Sequence, residues 1–163
     1  MAYHALTLTA DHVTALGAGR RDLPLASVPG ADRCEPGQPV RLMTPAGALA
    51  ALGVADPENE LVRVMAVEAE GFLSLDNGFV RARLGRALAL RTAFGLTREQ
   101  TTHRAVNGSG DGLPGLAADV YGDYAVLYAY SKGLLQLGRL LAQELLAALG
   151  LSGVVLKLRA RDS

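Results

Sequence analysis

The chain has 163 residues, half of them apolar, with 16 basic and 16 acidic side chains and a formal net charge of zero. That composition excludes a disordered chain, and the charge balance argues against a protein that holds nucleic acid by bulk charge. A single cysteine, Cys34, excludes an intrachain disulfide and fits a reducing compartment.

In chain order, Met1-Ala2-Tyr3-His4-Ala5-Leu6-Thr7 lacks the basic start and apolar core of a signal peptide. The richest apolar segment, Gly133 to Leu151, is broken by Gln136, Arg139, Gln143 and Glu144, as an amphipathic helix is and a membrane span is not. A cytoplasmic protein with no membrane partner is expected. Residues 1–72 read as β-rich: Pro24, Pro29, Pro36, Pro39, Pro45 and Pro57 forbid long helices. Short strands fit at 3–9, 38–44, 47–54 and 60–68, with Pro39–Met43 and Gly47–Leu52 forming a hairpin across Thr44-Pro45-Ala46. A small barrel of this kind closes its own sheet edges.

The pattern changes near residues 69–76. Asp76 or Ser74 can cap a helix, and Phe79, Val80, Leu84, Ala87, Leu88 and Arg91 follow at three-to-four-residue spacing until Gly95. Arg81, Arg86 and Arg83 are expected to point away from that stripe. Three strands follow, at Thr101–Val106, Leu116–Val120 and Tyr124–Tyr130. A helix near Lys132–Leu149 presents Leu134, Leu137, Leu141, Leu145 and Leu149 on one face, and Val154–Leu158 forms a last strand. The order is β-β-β-α-β with one long helix on a small sheet.

Charge is unevenly placed. Residues 1–75 hold nine acids and five bases, a net of −4; residues 76–110 hold two acids and six arginines, a net of +4. The basic segment is either a solvated helix face or a phosphate-contacting surface.

Several motifs fall short of known chemistry. Leu16-Gly17-Ala18-Gly19 starts like a dinucleotide loop, but Asp22 stands where the third glycine belongs and Pro24 follows in place of a helix. Asn107-Gly108-Ser109-Gly110-Asp111-Gly112 starts like a calcium loop, but Ala118 replaces the bidentate glutamate and Pro114 intervenes. His4, His12 and His103 show no metal-ligand spacing with Cys34, so no metal site is expected. The run from Asn107 through Gly108, Gly110, Asp111, Gly112, Pro114 and Gly115 to Asp119 is either a strand connection whose Asn and Asp bond their own backbone, or a bare backbone approached by phosphate beside Arg104.

Taken whole, Arg104-Ala-Val-Asn-Gly-Ser-Gly-Asp-Gly-Leu-Pro-Gly-Leu-Ala-Ala-Asp119-Val-Tyr121-Gly-Asp123 resembles the central-domain signature of class I S-adenosylmethionine-dependent ribosomal RNA methyltransferases. The members it most resembles make 5-methylcytosine in large-subunit rRNA, and the helix Phe79–Arg91 matches as well. The resemblance implies an α+β architecture: a small PUA-like RNA-binding β-barrel over residues 1–72, then a linking helix and central β-β-β-α-β domain over 73–163, with no Rossmann methyltransferase domain present. It implies RNA contacts from Arg20, Arg21, Arg81, Arg86 and Arg104. In the family, the cofactor motif and catalytic cysteine belong to a following Rossmann-like domain. No catalytic or cofactor-binding residue is therefore assigned here, and Cys34 does not map onto the catalytic cysteine. S-adenosylmethionine is expected for the full-length parent and no cofactor in this chain. The expected partners are rRNA, the missing C-terminal methyltransferase domain and, for a non-catalytic assembly module, a second copy. The chain alone is expected to be inactive.

Overall fold

The computed structural model describes residues 2–96 and 102–159. It divides into two units, Met1–Leu75 and Asp76–Ser163.

The first unit contains β1 (His4–Thr7), α1 (Ala10–Gly17), β2 (Asp22–Pro24), β3 (Pro39–Met43), β4 (Leu49–Asp56) and β5 (Leu61–Val67). The expected hairpin is present: β3 and β4 pair antiparallel, and Gly47, at φ 86°, donates its N–H to the Thr44 carbonyl at 2.9 Å. Gly53 in β4 is required sterically, because a Cβ there would lie 2.5 Å from the Arg63 carbonyl oxygen of β5. The buried Asp56 carboxylate at the end of β4 accepts from Arg63 Nε at 2.6 Å and from Asn59 Nδ2 at 3.0 Å, tying β5 and the turn to it. Leu6, Leu8, Leu16, Leu23, Val28, Val40, Leu42, Val62 and Val64 form the core.

Two features differ from the sequence reading. A helix, α1, interrupts the β-rich segment; its N-cap Thr9 accepts from the His12 N–H at 3.2 Å while His12 Nδ1 accepts from the Thr9 N–H at 3.1 Å. The expected barrel is also corrected. The sheet runs β1-β3-β4-β5-β2 and stays open, with β1 and β2 as its two edges. The reason is local to those edges. β1 is committed to a parallel pairing with β3, and β2 is a three-residue strand ending at Pro24, which has no N–H to extend a ladder.

The second unit begins with α2 (Asn77–Ala93), capped by the Asp76 carboxylate, which accepts from the Phe79 N–H at 3.0 Å. There follow β6 (Thr102–Asn107), β7 (Leu116–Tyr121), β8 (Tyr124–Ala129), α3 (Leu135–Leu149) and β9 (Gly153–Leu158). The sheet order is β6-β7-β8-β9, with the first three strands antiparallel and β9 parallel to β8 after the α3 crossover. This sheet is open as well. Leu134, Leu137, Leu141 and Leu145 are buried, as the helical spacing predicts. Gly138 brings α3 close to the sheet: a Cβ there would touch Leu156, Leu127 and Leu116 at 3.2–3.7 Å. Arg83 does not point outward as expected but is 4% exposed. It lies three and four residues beyond Val80 and Phe79, on the buried stripe itself, with its guanidinium 5.1 Å from the Phe79 ring centroid. The expected first strand began at Thr101, which lies outside the described residues.

Candidate nucleic-acid interface

The arginines of residues 76–110 are largely committed to protein partners. Arg91, in the last turn of α2, donates from both terminal nitrogens to Asp111, at 2.5 and 2.7 Å, and from Nε to the Arg104 carbonyl at 3.1 Å. On β6, Arg104 holds both oxygens of Asp119 on β7, at 2.8 and 3.1 Å, and donates to Asn107 Oδ1 at 3.3 Å. Arg81 of α2 pairs with Glu144 of α3 at 3.0 and 3.1 Å, and its hydrogen bond, aided by its charge, holds the Glu144 carboxyl below the ordinary range. Arg86 is exposed, makes no ion pair among the described residues, and lines a groove of about 390 Å³ with Leu90, Gly110 and Asp111. In the first unit, Arg20 faces Asp22, with Nε 2.8 Å from its carbonyl oxygen, and Arg21 donates to the Leu16 carbonyl of α1 at 3.0 Å.

The structure therefore brings Arg104, Asn107, Asp111 and Asp119 together, places Arg81 and Arg86 on one helix, and sets Arg20 and Arg21 at the α1–β2 corner.

The glycine loop holds its shape through its own polar groups. Gly108, Gly112 and Gly115 have φ of 56°, 69° and 77°, in the left-handed region. Asp111 Oδ2 accepts the Asn107 N–H at 2.6 Å, Gly112 N–H reaches the Ser109 carbonyl at 3.1 Å, and Leu113 N–H reaches the Gly108 carbonyl at 3.1 Å. A phosphate cradle needs free amides. Here the loop's own Asp111 carboxylate, paired with Arg91, takes the Asn107 amide. The same commitment of Asp111 removes it as a cation ligand. Among the described residues no three His, Cys, Asp or Glu side chains cluster at metal-binding distance.

Beyond the arginines, the sequence reading passed over the sheet's other face. Leu116, Leu127 and Leu156 meet α3, so strand alternation turns Asp119 and Tyr121 of β7, Tyr124, Val126 and Tyr128 of β8, and Val155 and Lys157 of β9 to the opposite side. Tyr121 and Tyr124 are direct cross-strand partners, 45% and 59% exposed. Tyr128 lies under the Arg159 guanidinium, 4.2 Å from the ring centroid. The signal was available as the period-two spacing of Tyr124, Val126, Tyr128 and Tyr130.

Cys34 is not an activated nucleophile. His4 Nδ1 stands 3.8 Å from its Sγ, but burial, reinforced by Asp32, pushes the thiol up.

No protein-family model matches the chain. Over 60 residues, 37% of its length, it is 40% identical to ribosomal RNA large subunit methyltransferase I of Alteromonas mediterranea, a stretch that spans only 15% of that relative. Two solved structures share its fold, each at TM-score 0.76 and 18% identity over 96% of this chain. They are SMU.776, a candidate methyltransferase complexed with SAH, and a candidate SAM-dependent methyltransferase from Streptococcus mutans. The chain spans 40% and 41% of those two proteins. This likeness completes the correction of the expected fold class. Nearly the whole chain follows a fold found within methyltransferase chains and its sheets are open, so the expected fold class, a PUA-like barrel with no Rossmann methyltransferase domain, does not hold. The sequence kinship to methyltransferases does. Among the described residues no helix is long and apolar enough to cross a membrane.

Proposed function

We infer that the chain serves as an RNA-positioning part of an S-adenosylmethionine-dependent ribosomal RNA methyltransferase of the cytosine-5 type. The observation that carries this reading is the 40% identity over 60 residues to an rRNA methyltransferase, supported by a fold shared across 96% of the chain with methyltransferase structures. The committed glycine loop and the unactivated Cys34 favour a positioning role over methyl transfer by these residues. In such a role, exposed cations fix the register of the RNA backbone while other groups meet bases. Arg86 is the exposed cation of α2 suited to phosphate; Arg104, Arg20 and Arg21 offer guanidinium edges beyond their present bonds.

Two measurements test the reading. Incubated with a 23S rRNA transcript and tritiated S-adenosylmethionine, the chain is expected to transfer no label; sustained turnover overturns the positioning role. Filter binding of the same transcript is expected to weaken steeply with salt, and no retention at low salt removes RNA from the reading.

A second reading, assembly with another copy or with a following methyltransferase domain, is favoured by one feature. Leu90, Phe94 and Leu96 form an exposed apolar cluster at the end of α2, 48%, 77% and 38% accessible. Sedimentation at high concentration separates a self-associating chain from a monomer.

A further inference from the structure

On the face of the second sheet opposite α3, only the Arg104–Asp119 pair has been given a role so far. Four of the chain's five tyrosines, Tyr121, Tyr124, Tyr128 and Tyr130, fall at the end of β7 and in or just after β8, and the chain has no tryptophan. Tyr121, Tyr124 and Tyr130 are 45%, 59% and 37% exposed. Tyr128 and Tyr130 lie close enough to Arg104 to act on its charge, as Tyr128 does on Tyr121.

The charges on this face are unbalanced. Among the described residues of these strands, Arg104, Lys157 and Arg159 are the cations on this face and Asp119 is the carboxylate, already held by Arg104. Lys157, paired in register with Tyr128, makes no ion pair among the described residues. Exposed rings are thus interleaved with cations on one face of an open sheet.

A protein helix would find little apolar area here beyond Val126 and the exposed Val155. Duplex RNA hides the faces of its bases. Unpaired nucleotides suit the surface, because every base has a face to stack and every phosphate a charge to meet.

We propose that this open sheet face is a stacking platform for single-stranded RNA, with Tyr121, Tyr124 and Tyr130 meeting bases and Lys157, Arg159 and Arg104 meeting phosphates. It rests on the RNA-positioning reading above and gives that reading its contact surface. Tyr124 is the most exposed of the four rings and lies beside Gly153 across the strand pair, so its removal disturbs little packing.

The test uses the full chain and a fluorescein-labelled oligouridine followed by anisotropy, with intrinsic tyrosine emission as a second signal. Binding is expected to quench tyrosine fluorescence, because most of the chain's tyrosines sit on the platform. Tyr124→Ala should weaken binding about tenfold, whereas Tyr124→Phe keeps it. Lys157→Ala should weaken it and lower the salt slope by about one. A self-complementary RNA duplex of equal length should bind at least several-fold more weakly. If the wild type binds oligouridine but the Tyr124 and Lys157 variants match it, the platform is overturned while RNA positioning survives elsewhere, and Arg86→Ala then locates it. If the wild type binds no RNA at all, both readings fall. If Tyr124→Ala instead dissolves a dimer, the face is a protein interface and the proposal is wrong.

Discussion

Arg91 and Asp111 form a two-pronged ion pair, 2.5 and 2.7 Å, with side chains 13% and 4% exposed. The pair joins the last turn of α2 to the glycine loop. Through Asp111 it reaches the Asn107 N–H, and through Arg91 Nε the Arg104 carbonyl, so one guanidinium sets helix, loop and strand together.

Removing one partner should leave the other charge buried and unmatched. Arg91→Ala and Asp111→Ala are each expected to cost about 3 kcal/mol in urea unfolding. The double variant should cost clearly less than the two together, because it leaves no orphaned charge. Strict additivity would show that the pair does not hold the loop.

The Arg81–Glu144 pair carries a pH dependence. The folded-state carboxyl is depressed below its ordinary value, chiefly by the hydrogen bond from Arg81. Its stabilising contribution is therefore complete above the ordinary glutamate value and fades as pH falls through the lower, folded-state one. Melting temperatures of wild type and Arg81→Ala should differ at neutral pH and converge in strong acid. The difference should also shrink with salt, since the arginine is largely exposed. An equal gap at both pH values would assign the effect to packing of the arginine stem.

Burial raises the Cys34 thiol above its ordinary value, with Asp32 adding to the effect. Little thiolate is present in the folded chain at neutral pH, so a disulfide reagent should label native Cys34 many-fold more slowly than the urea-unfolded chain. His4→Ala should leave the native rate nearly unchanged. A large slowing would show that the imidazole, 3.8 Å away, does activate the sulfur.

What the sequence made legible was local. The Thr44–Gly47 turn, the helix cap (which the pattern left between Asp76 and Ser74) and the leucine stripe of α3 each depend on neighbours within a few positions, and each is found there. What escaped depends on partners far along the chain. The open first sheet follows from β1 choosing β3, 35 or so residues away, in parallel. The Arg91–Asp111 and Arg104–Asp119 pairs join residues 20 and 15 positions apart that only the fold brings together. The tyrosine face was signalled by period-two spacing, but which side of the sheet it occupies follows from α3 covering the other. Helix α1 is the exception: its capping box, Thr9 with His12, is local, but histidine in place of the usual glutamate disguised it.

The glycine loop offers a paired test within a few residues. Gly112 sits at φ 69°, and a Cβ there would stand 3.0 Å from Arg83 Nε, part of a side chain that is itself buried. Gly110 lies outside the left-handed region and would meet nothing within 4 Å. Gly112→Ala must therefore bear the left-handed penalty of about 1–2 kcal/mol, and it must also displace Arg83 from its place over Phe79. Gly110→Ala should stay within about 0.5 kcal/mol of wild type. Urea unfolding of the two variants reads the difference directly. Equal stabilities would mean that the loop adapts without cost and that Arg83 does not constrain it. A large loss at Gly110 alone would instead place a close neighbour where the structure has open space.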